Sequence, residues 1–422
     1  MIVLDKIYKN NISISQKMLL SIGWIILVCF LIIESSNKGD FHIFLEASKA
    51  LINGENIYER TFFDGYHYFY SLLFALLIYP LTFLPIQLAV FLWLCLNMFL
   101  LYRLFYTINK LLPLYTLSNQ QKKWFWILLF MFGLRLIWEN FHVAQITILL
   151  LYLCLEGINF IQNKKTTKGS LLIAIGINIK ILPIVLLPYL LYRGKFKATG
   201  IIVMFTSIFL FIPIFFIDQS NFKVLMNSWL SIINPLNAKH ILDVEERSFH
   251  SLTTLLSTLF VENVPDIHAL TIKRNVADVS LESLIKIISV VRLILIALTL
   301  YFIRSSPFKK NKNQLHRFWE ISYILCLIPL IFPHQQHYAF LFIMPAYSYA
   351  LYYLFQFHDD ISSFKRLFAI VSLIIIYLLV NLKLLVGNFN EYYEHFKILT
   401  YGAIGLLITI SYLIPPKKLQ NS

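Results

Sequence analysis

Charged residues are scarce in this chain. Asp, Glu, Lys and Arg together make up 14% of its 422 residues, whereas a soluble domain carries about 25%. Hydrophobic residues account for 58%, and the mean hydropathy is +0.70. Because each crossing of a bilayer takes about 20 apolar residues, this composition argues against a soluble globular protein and predicts an integral membrane protein.

Cysteines are few, and nucleotide-binding motifs are absent from the sequence. All four cysteines lie inside apolar runs, where they are best interpreted as small core residues: Cys29, Cys95, Cys154 and Cys326. The sequence has no Gly-rich phosphate cradle, no Walker-type lysine and no Gly-x-Ser-x-Gly turn. We therefore expect no cofactor and no cytoplasmic nucleotide, so that any activated donor would reach an outer site through the membrane.

The net charge of +14 follows a topological pattern. Lys and Arg collect in the cytoplasmic loops of polytopic membrane proteins. More than half of the 36 Lys and Arg residues fall in seven short segments: 1–17, 107–123, 162–168, 193–197, 304–317, 357–366 and 415–422. We interpret these segments as inner loops. The expected partner is therefore the lipid bilayer and not nucleic acid.

Apolar runs predict about twelve crossings of the cell membrane in a single domain, 1–422, with both termini cytoplasmic. The runs are 18–33, 85–106, 124–138, 144–161, 169–180, 181–192, 198–217, 284–303, 318–332, 338–356, 367–385 and 399–414. The run 68–82 is placed at the outer face, because a crossing there would move the basic loop 107–123 outside. The expected spans then lie within 18–33, 85–217 and 284–414, and two long outer loops remain, 34–84 and 218–283.

The segment after the first span predicts an amphipathic helix lying along the membrane surface. Its expected apolar face comprises Phe41, Phe44, Leu45, Ser48 and Ile52, and its polar face His42, Glu46, Lys49 and Asn53. Asp40 occupies the N-cap position, and Gly54 would end the helix. Asp40 could serve only as a cap, or it could also be a general base directed into a cavity, with help from His42.

Two further polar residues lie in outer turns. Lys180 falls between the two short helices 169–180 and 181–192, where it could extend to the membrane surface or contact a phosphate. Gln145 begins a span after the turn 139–145 and could form interhelical hydrogen bonds or line a site. Arg135, a cation at the edge of the same region, also needs a partner.

A third outer turn, Pro333 to Tyr338, contains His334 and His337. Their spacing would suit a metal pair, but no third ligand lies nearby in sequence, so we expect hydroxyl recognition, acid–base help or a polar cap and no metal. Arg247 lies in a dense polar stretch, 245–250, where solvated loop charge is the default interpretation. The pair Asp359 and Asp360 is set aside because it falls in a predicted inner loop.

Four segments resemble glycosyltransferase family 87, a group of GT-C fold glycosyltransferases that use polyprenyl-phosphate sugars. They are Gly39 to His42 with Gly54 to Tyr58, the Asn140 to Gln145 turn, Gly169 to Arg193, and the Pro333 to Tyr338 turn. They occur in family order along nearly the whole chain. The sequence departs from the family pattern at Ala144, where family members often have Gly.

The resemblance implies an all-α, GT-C-type bundle of about twelve transmembrane helices, with juxtamembrane helices in the first outer loop. It also implies a catalytic Asp, matched here by Asp40, that deprotonates an acceptor hydroxyl on the outer (periplasmic) side. The hydroxyl would displace polyprenyl phosphate from a hexose with inversion; family members commonly use mannose.

The resemblance further implies that the partners are a polyprenyl-phosphate-linked sugar donor and a lipid or glycan acceptor. Expected substrate contacts are His42, Gln145, Lys180, Arg247, His334 and His337. Lys180, with Arg135 or Arg247, would stabilise the leaving phosphate in place of a metal ion. One competing hypothesis is a transporter or lipid flippase with a non-catalytic polar cavity. Another is a ligase or acyltransferase of the cell envelope, which should show a stronger outer His or Arg signature.

Overall fold

A computed structural model describes residues 14–234, 237, 241–242, 249–303, 307–308, 313–384, 387 and 390–416. Helices account for 77% of the residues described. Over the described ranges there is no strand, although Phe249 and Gln336 form an isolated antiparallel β-bridge. The prediction of an all-α protein is confirmed.

Seventeen α-helices follow one another in the described part of the chain. They are α1 Ile14–Ser35, α2 Asp40–Ile52, α3 Leu72–Ile78, α4 Ile86–Leu111, α5 Asn119–His142, α6 Thr147–Gln162, α7 Thr166–Ile179, α8 Leu186–Tyr192, α9 Phe196–Phe211, α10 Gln219–Ile233, α11 Leu252–Phe260, α12 Leu281–Ile303, α13 Gln314–Ile331, α14 Met344–Phe357, α15 Ser363–Asn381, α16 Asn390–His395 and α17 Ile398–Tyr412. Short 3₁₀ segments extend several of them, including Tyr79–Phe83, Leu182–Val185, Ile212–Phe215 and His337–Ile343.

Six of the described helices are long and apolar enough to cross a membrane, which fits a polytopic membrane protein. They are Ile86–Leu111, Asn119–His142, Phe196–Phe215, Leu281–Ile303, His337–Phe357 and Ser363–Leu384. Helices α1 and α2 meet the same criteria only as a pair bent by 53°. With 13 residues, α2 alone is about 20 Å long and too short to cross. The number twelve and the GT-C arrangement remain predictions.

Helix α2 packs on protein over a wider surface than its sequence predicts. The Phe41 ring stacks on Trp93 of α4 at 5.0 Å between centroids, and the Ser48 hydroxyl donates to the Ala75 carbonyl of α3 at 2.7 Å. Eight of its 13 residues are buried, whereas Ile52, expected on the apolar face, is 40% exposed. The face expected to lie in lipid is therefore covered by α3 and α4, because the run 68–82 folds back onto it.

The start of α2 differs from the prediction by one position. Gly39 is the N-cap residue, and Asp40 is the first residue of the helix. The Gly39 backbone N–H donates to Nδ1 of His42 at 3.3 Å, so the imidazole caps the N-cap residue's own N–H, which is a different contact from the one expected of a capping carboxylate. Gly54 follows the helix end with φ of +82°, as expected of a terminating glycine. The Asp40 side chain is thereby available for contacts outside its own helix.

Candidate active site

A close approach between two chain segments fixes the position of Asp40. The backbone N–H of Asp40 donates to the Val143 carbonyl at 2.9 Å. A Cβ atom added to Gly39 would lie 2.6 Å from the same carbonyl oxygen, a distance that real Cβ atoms do not tolerate. Glycine at position 39 therefore lets the start of α2 reach the turn between α5 and α6, which places Asp40 directly beside that turn.

The turn itself directs Gln145 toward Asp40. Ala144 has φ of +49°, a left-handed conformation that explains why glycine would suit this position. The carbonyl of Ala144 accepts from the Trp93 indole N–H at 2.9 Å, and the carbonyl of Gln145 accepts from the Asn97 amide at 3.0 Å. Two side chains of α4 thus hold a turn that would otherwise be strained.

Gln145 and Tyr338 both donate hydrogen bonds to the carboxylate of Asp40. The side-chain N–H of Gln145 donates to Oδ2, and the hydroxyl of Tyr338 also bonds to the carboxylate. The Gln145 amide is oriented because its Oε1 accepts from the Tyr70 hydroxyl at 3.1 Å and from the Ile146 backbone N–H at 2.7 Å. Two neutral donors therefore hold this half-buried carboxylate.

Burial raises the pKa of Asp40 from 3.8 to about 6. The hydrogen bonds from Tyr338 and Gln145 and the positive charge of Lys180 oppose this rise, but burial outweighs them. The group is ionised at neutral pH and is still more basic than an exposed carboxylate. That combination is the one required of a general base.

Lys180 lies close to Tyr70, the residue whose hydroxyl donates to Gln145. Its Nζ lies 5.0 Å from the centroid of the Tyr70 ring. The end of α7 is attached to this segment because the Ser71 backbone N–H donates to the Ile179 carbonyl at 3.3 Å. The structure therefore brings together Asp40, Gln145 and Lys180, which are far apart in sequence.

A small cavity opens beside the Asp40 carboxylate. Aromatic side chains form much of its wall, and its lining comprises Asp40, Ile43, Phe44, Tyr66, His67, Phe69, Tyr70, Gln336 and Tyr338. The ring of His334, a predicted substrate contact, stacks on the ring of Phe69 with 5.2 Å between centroids. His334 therefore packs against a lining residue and is not itself among the described residues that line the cavity. Tyr70, Gln336 and Tyr338 are site residues that the sequence did not single out.

His337 lies in a second, buried cluster. Its Nε2 is 2.9 Å from Oε1 of Glu394, and Nε2 of His250 is 2.9 Å from Oε2. The ligand atoms of these three residues lie within 4.8 Å of one another, a spacing that a metal ion could use. However, Nζ of Lys383 is also 2.9 Å from Oε1 of Glu394. The carboxylate already has a cationic partner, whose ammonium would repel a metal ion.

Two predicted cations do not contribute described contacts to Asp40. The guanidinium of Arg135 is buried; its Nε donates to Glu139 at 3.0 Å, and its Nη1 donates to the Tyr393 hydroxyl at 2.6 Å. These contacts stabilise the protein interior and leave Arg135 away from the cavity lining. Arg247 lies outside the described residues.

Comparison with known proteins identifies one family. The model of glycosyltransferase family 87 matches residues 68–333, which is more than half of the chain. The matched region includes Gln145 and Lys180, starts after Asp40 and ends just before His334. No curated protein and no solved structure matches the chain.

Proposed function

Since the chain belongs to glycosyltransferase family 87, and is therefore a membrane-embedded glycosyltransferase, we propose that it transfers a hexose from a polyprenyl-phosphate donor to an acceptor hydroxyl with Asp40 as general base. The observation that carries this proposal is the half-buried Asp40 carboxylate, whose pKa is raised to about 6 while Gln145 and Tyr338 hold it beside a cavity. A residue that only capped α2 would not need these two distant partners.

In the proposed reaction, Asp40 accepts the proton of the acceptor hydroxyl. The acceptor oxygen forms a bond to the anomeric carbon as the bond from that carbon to the phosphate oxygen breaks. The polyprenyl phosphate leaves with the electron pair, and a single displacement inverts the sugar. General-base help of this kind contributes about 10²–10⁴-fold.

The positive charge of Lys180 supports a role at the leaving phosphate. Its Nζ lies 5.0 Å from the centroid of the Tyr70 ring, and Tyr70 lines the same cavity as Asp40. An ammonium at this place would stabilise the negative charge that develops on the departing phosphate. Gln145 and Tyr338 act as positioning residues for Asp40. His42, His334, His337 and Arg247 remain proposed substrate contacts, and His42 also caps α2.

We place this site on the outer side of the cell membrane, and we propose mannose as the transferred hexose. The distribution of Lys and Arg supports the placement, because the loops nearest to Asp40 carry few cations whereas the opposite loops are basic. A donor bound to a lipid would reach such a site without a cytoplasmic nucleotide.

The test is turnover of purified protein in nanodiscs with synthetic polyprenyl-phosphate mannose. Released polyprenyl phosphate gives the rate, and NMR of the product gives the anomeric configuration. Asp40→Asn should lose at least about a hundredfold in rate with its thermal unfolding unchanged. The matched control is Asp218→Asn, which alters an exposed carboxylate that caps α10.

Retention of configuration, or wild-type turnover by Asp40→Asn, would refute the proposed mechanism. Movement of the lipid-linked sugar across a bilayer without formation of a product would instead support the flippase hypothesis. Turnover with another hexose in place of mannose would correct only the sugar.

A further inference from the structure

A second cavity lies at the opposite end of the helices that carry the Asp40 site. Helix α6 begins two residues after Gln145 and ends at Gln162, about 24 Å away along its 16 residues. Helix α8 leads from the Lys180 turn to Arg193. Helix α13 begins near Arg317 and ends just before His334. Gln162, Arg193 and Arg317 line this second cavity, which is therefore remote from Asp40.

The second cavity is small and positively charged. Its volume is about 70 Å³, which exceeds the roughly 10–15 Å³ needed for one water molecule. Its polar lining residues are Gln162, Tyr189, Arg193, Lys195 and Arg317. Among the described residues that line it, three are cationic and none is acidic.

One buried carboxylate fixes the wall of this cavity. Both oxygens of Glu320 accept hydrogen bonds from the guanidinium of Arg193, with Nε to Oε2 at 2.9 Å. The hydroxyl of Tyr189 donates to the same Oε2 at 3.0 Å. This contact balances the charge of Arg193 and holds it rigidly. Lys195 and Arg317 are half-buried at the same cavity and add two positive charges.

We propose that this cavity binds the phosphate group of an anion at the inner membrane face. Because the fork of Arg193 donates to Glu320, the positive charge offered to a ligand comes from the half-buried Lys195 and Arg317. Arginine and lysine side chains both form charge-assisted hydrogen bonds with phosphate oxygens. Four lining residues belong to the segments 162–168, 193–197 and 304–317, which the charge distribution predicts to be inside: Gln162, Arg193, Lys195 and Arg317. The phosphate could come from an anionic phospholipid headgroup of the inner leaflet or from a soluble phosphate.

The binding test uses native mass spectrometry of the full chain titrated with phosphatidylglycerol, with phosphatidylcholine or with inorganic phosphate. Lys195→Gln and Arg317→Gln should each weaken phosphatidylglycerol binding about fivefold. The matched control is Lys168→Gln, which removes an exposed lysine of the same predicted face outside the cavity. Lys195→Arg and Arg317→Lys keep the charge and should retain binding, which separates charge loss from misfolding.

The outcomes distinguish the two sources of the phosphate. Stronger binding of phosphatidylglycerol than of phosphatidylcholine, reduced only by the cavity variants, supports a lipid headgroup. Binding of inorganic phosphate with the same sensitivity supports a soluble ligand. Equal losses in Lys168→Gln and in the cavity variants, or no loss in any variant, would overturn the proposal. Activity with the glycosyl donor is not part of this readout, so the result is independent of the role of Asp40.

Discussion

The side-chain amide of Gln145 donates a hydrogen bond to the carboxylate of Asp40, although the two residues are 105 positions apart. The amide is neutral, so it orients the carboxylate without contributing a full charge. A lysine or arginine at this position would lower the pKa of Asp40 far more strongly. The neutral partner therefore lets burial dominate, and Asp40 remains basic enough to remove a proton.

The proposed base predicts a rising pH profile. The pKa of Asp40 is raised to about 6, and only the ionised carboxylate accepts a proton. Turnover should therefore increase as pH rises through about 6 and level off above it. The measurement is kcat/KM between pH 5 and pH 8 in nanodiscs. A profile that is flat across this window, in protein that stays folded, would exclude Asp40 as the titrating base.

Replacement of the Gln145 amide should move that profile. Gln145→Leu removes a hydrogen bond to the ionised carboxylate, which further raises the pKa of Asp40 and shifts the rising limb upward by about one pH unit. Tyr338→Phe should shift it in the same direction, because it also removes a donor. If either variant lost activity while the pH at which turnover rises stayed unchanged, these residues would not act through the pKa of Asp40.

The close approach at Gly39 predicts a steric penalty. Gly39→Ala places a Cβ atom 2.6 Å from the Val143 carbonyl oxygen and should destabilise the protein by about 1–3 kcal/mol. Activity should fall as well, because the clash displaces Asp40. Gly23→Ala is the matched control, since a Cβ at Gly23 in α1 meets no atom within 4 Å. Thermal unfolding and turnover are the measurements. Equal stability of the two variants would contradict the packing seen at Val143.

Lys180 should act on the donor and not on the acceptor. Lys180→Met removes the positive charge and should raise KM for the polyprenyl-phosphate sugar or lower kcat by about 10–100-fold. Lys180→Arg should recover part of the loss. Lys168→Met, at the other end of α7, should resemble wild type. If instead the KM for the acceptor alone changed in Lys180→Met, the phosphate assignment would be wrong.

Several features of the site followed from the sequence because they depend on polar or charged residues next to apolar segments. Asp40, Gln145 and Lys180 stood out for that reason, and the structure brings all three together. Tyr70 and Tyr338 did not, because an aromatic residue in an apolar segment looks the same whether its hydroxyl contacts a carboxylate or only packs. Their roles depend on contacts between residues far apart in the chain, which periodicity does not reveal.

The fold likewise has helices that the sequence predicted and helices that it did not. Long apolar runs predicted the spanning helices, since a bilayer imposes length and composition directly. Helices α10, α11 and α16, which lie in loops between predicted spans, were not predicted. Their residues are mixed in polarity, and they are helical because they pack against other parts of the chain. The packing of α2 on α3 was missed for a related reason: an apolar face does not specify whether lipid or protein covers it.

His337 and Tyr338 are consecutive residues that serve different clusters. The imidazole contacts Glu394, and the neighbouring hydroxyl contacts Asp40. The adjacent bridge from Gln336 joins the same turn to Phe249, which lies in the predicted outer loop 218–283. A rotation of this turn that broke the hydrogen bond from Tyr338 to Asp40 would also separate the His337 imidazole from Glu394. It would move Phe249 as well, because Phe249 is bridged to Gln336. Release of the proposed base and movement of the segment around Phe249 would then occur together.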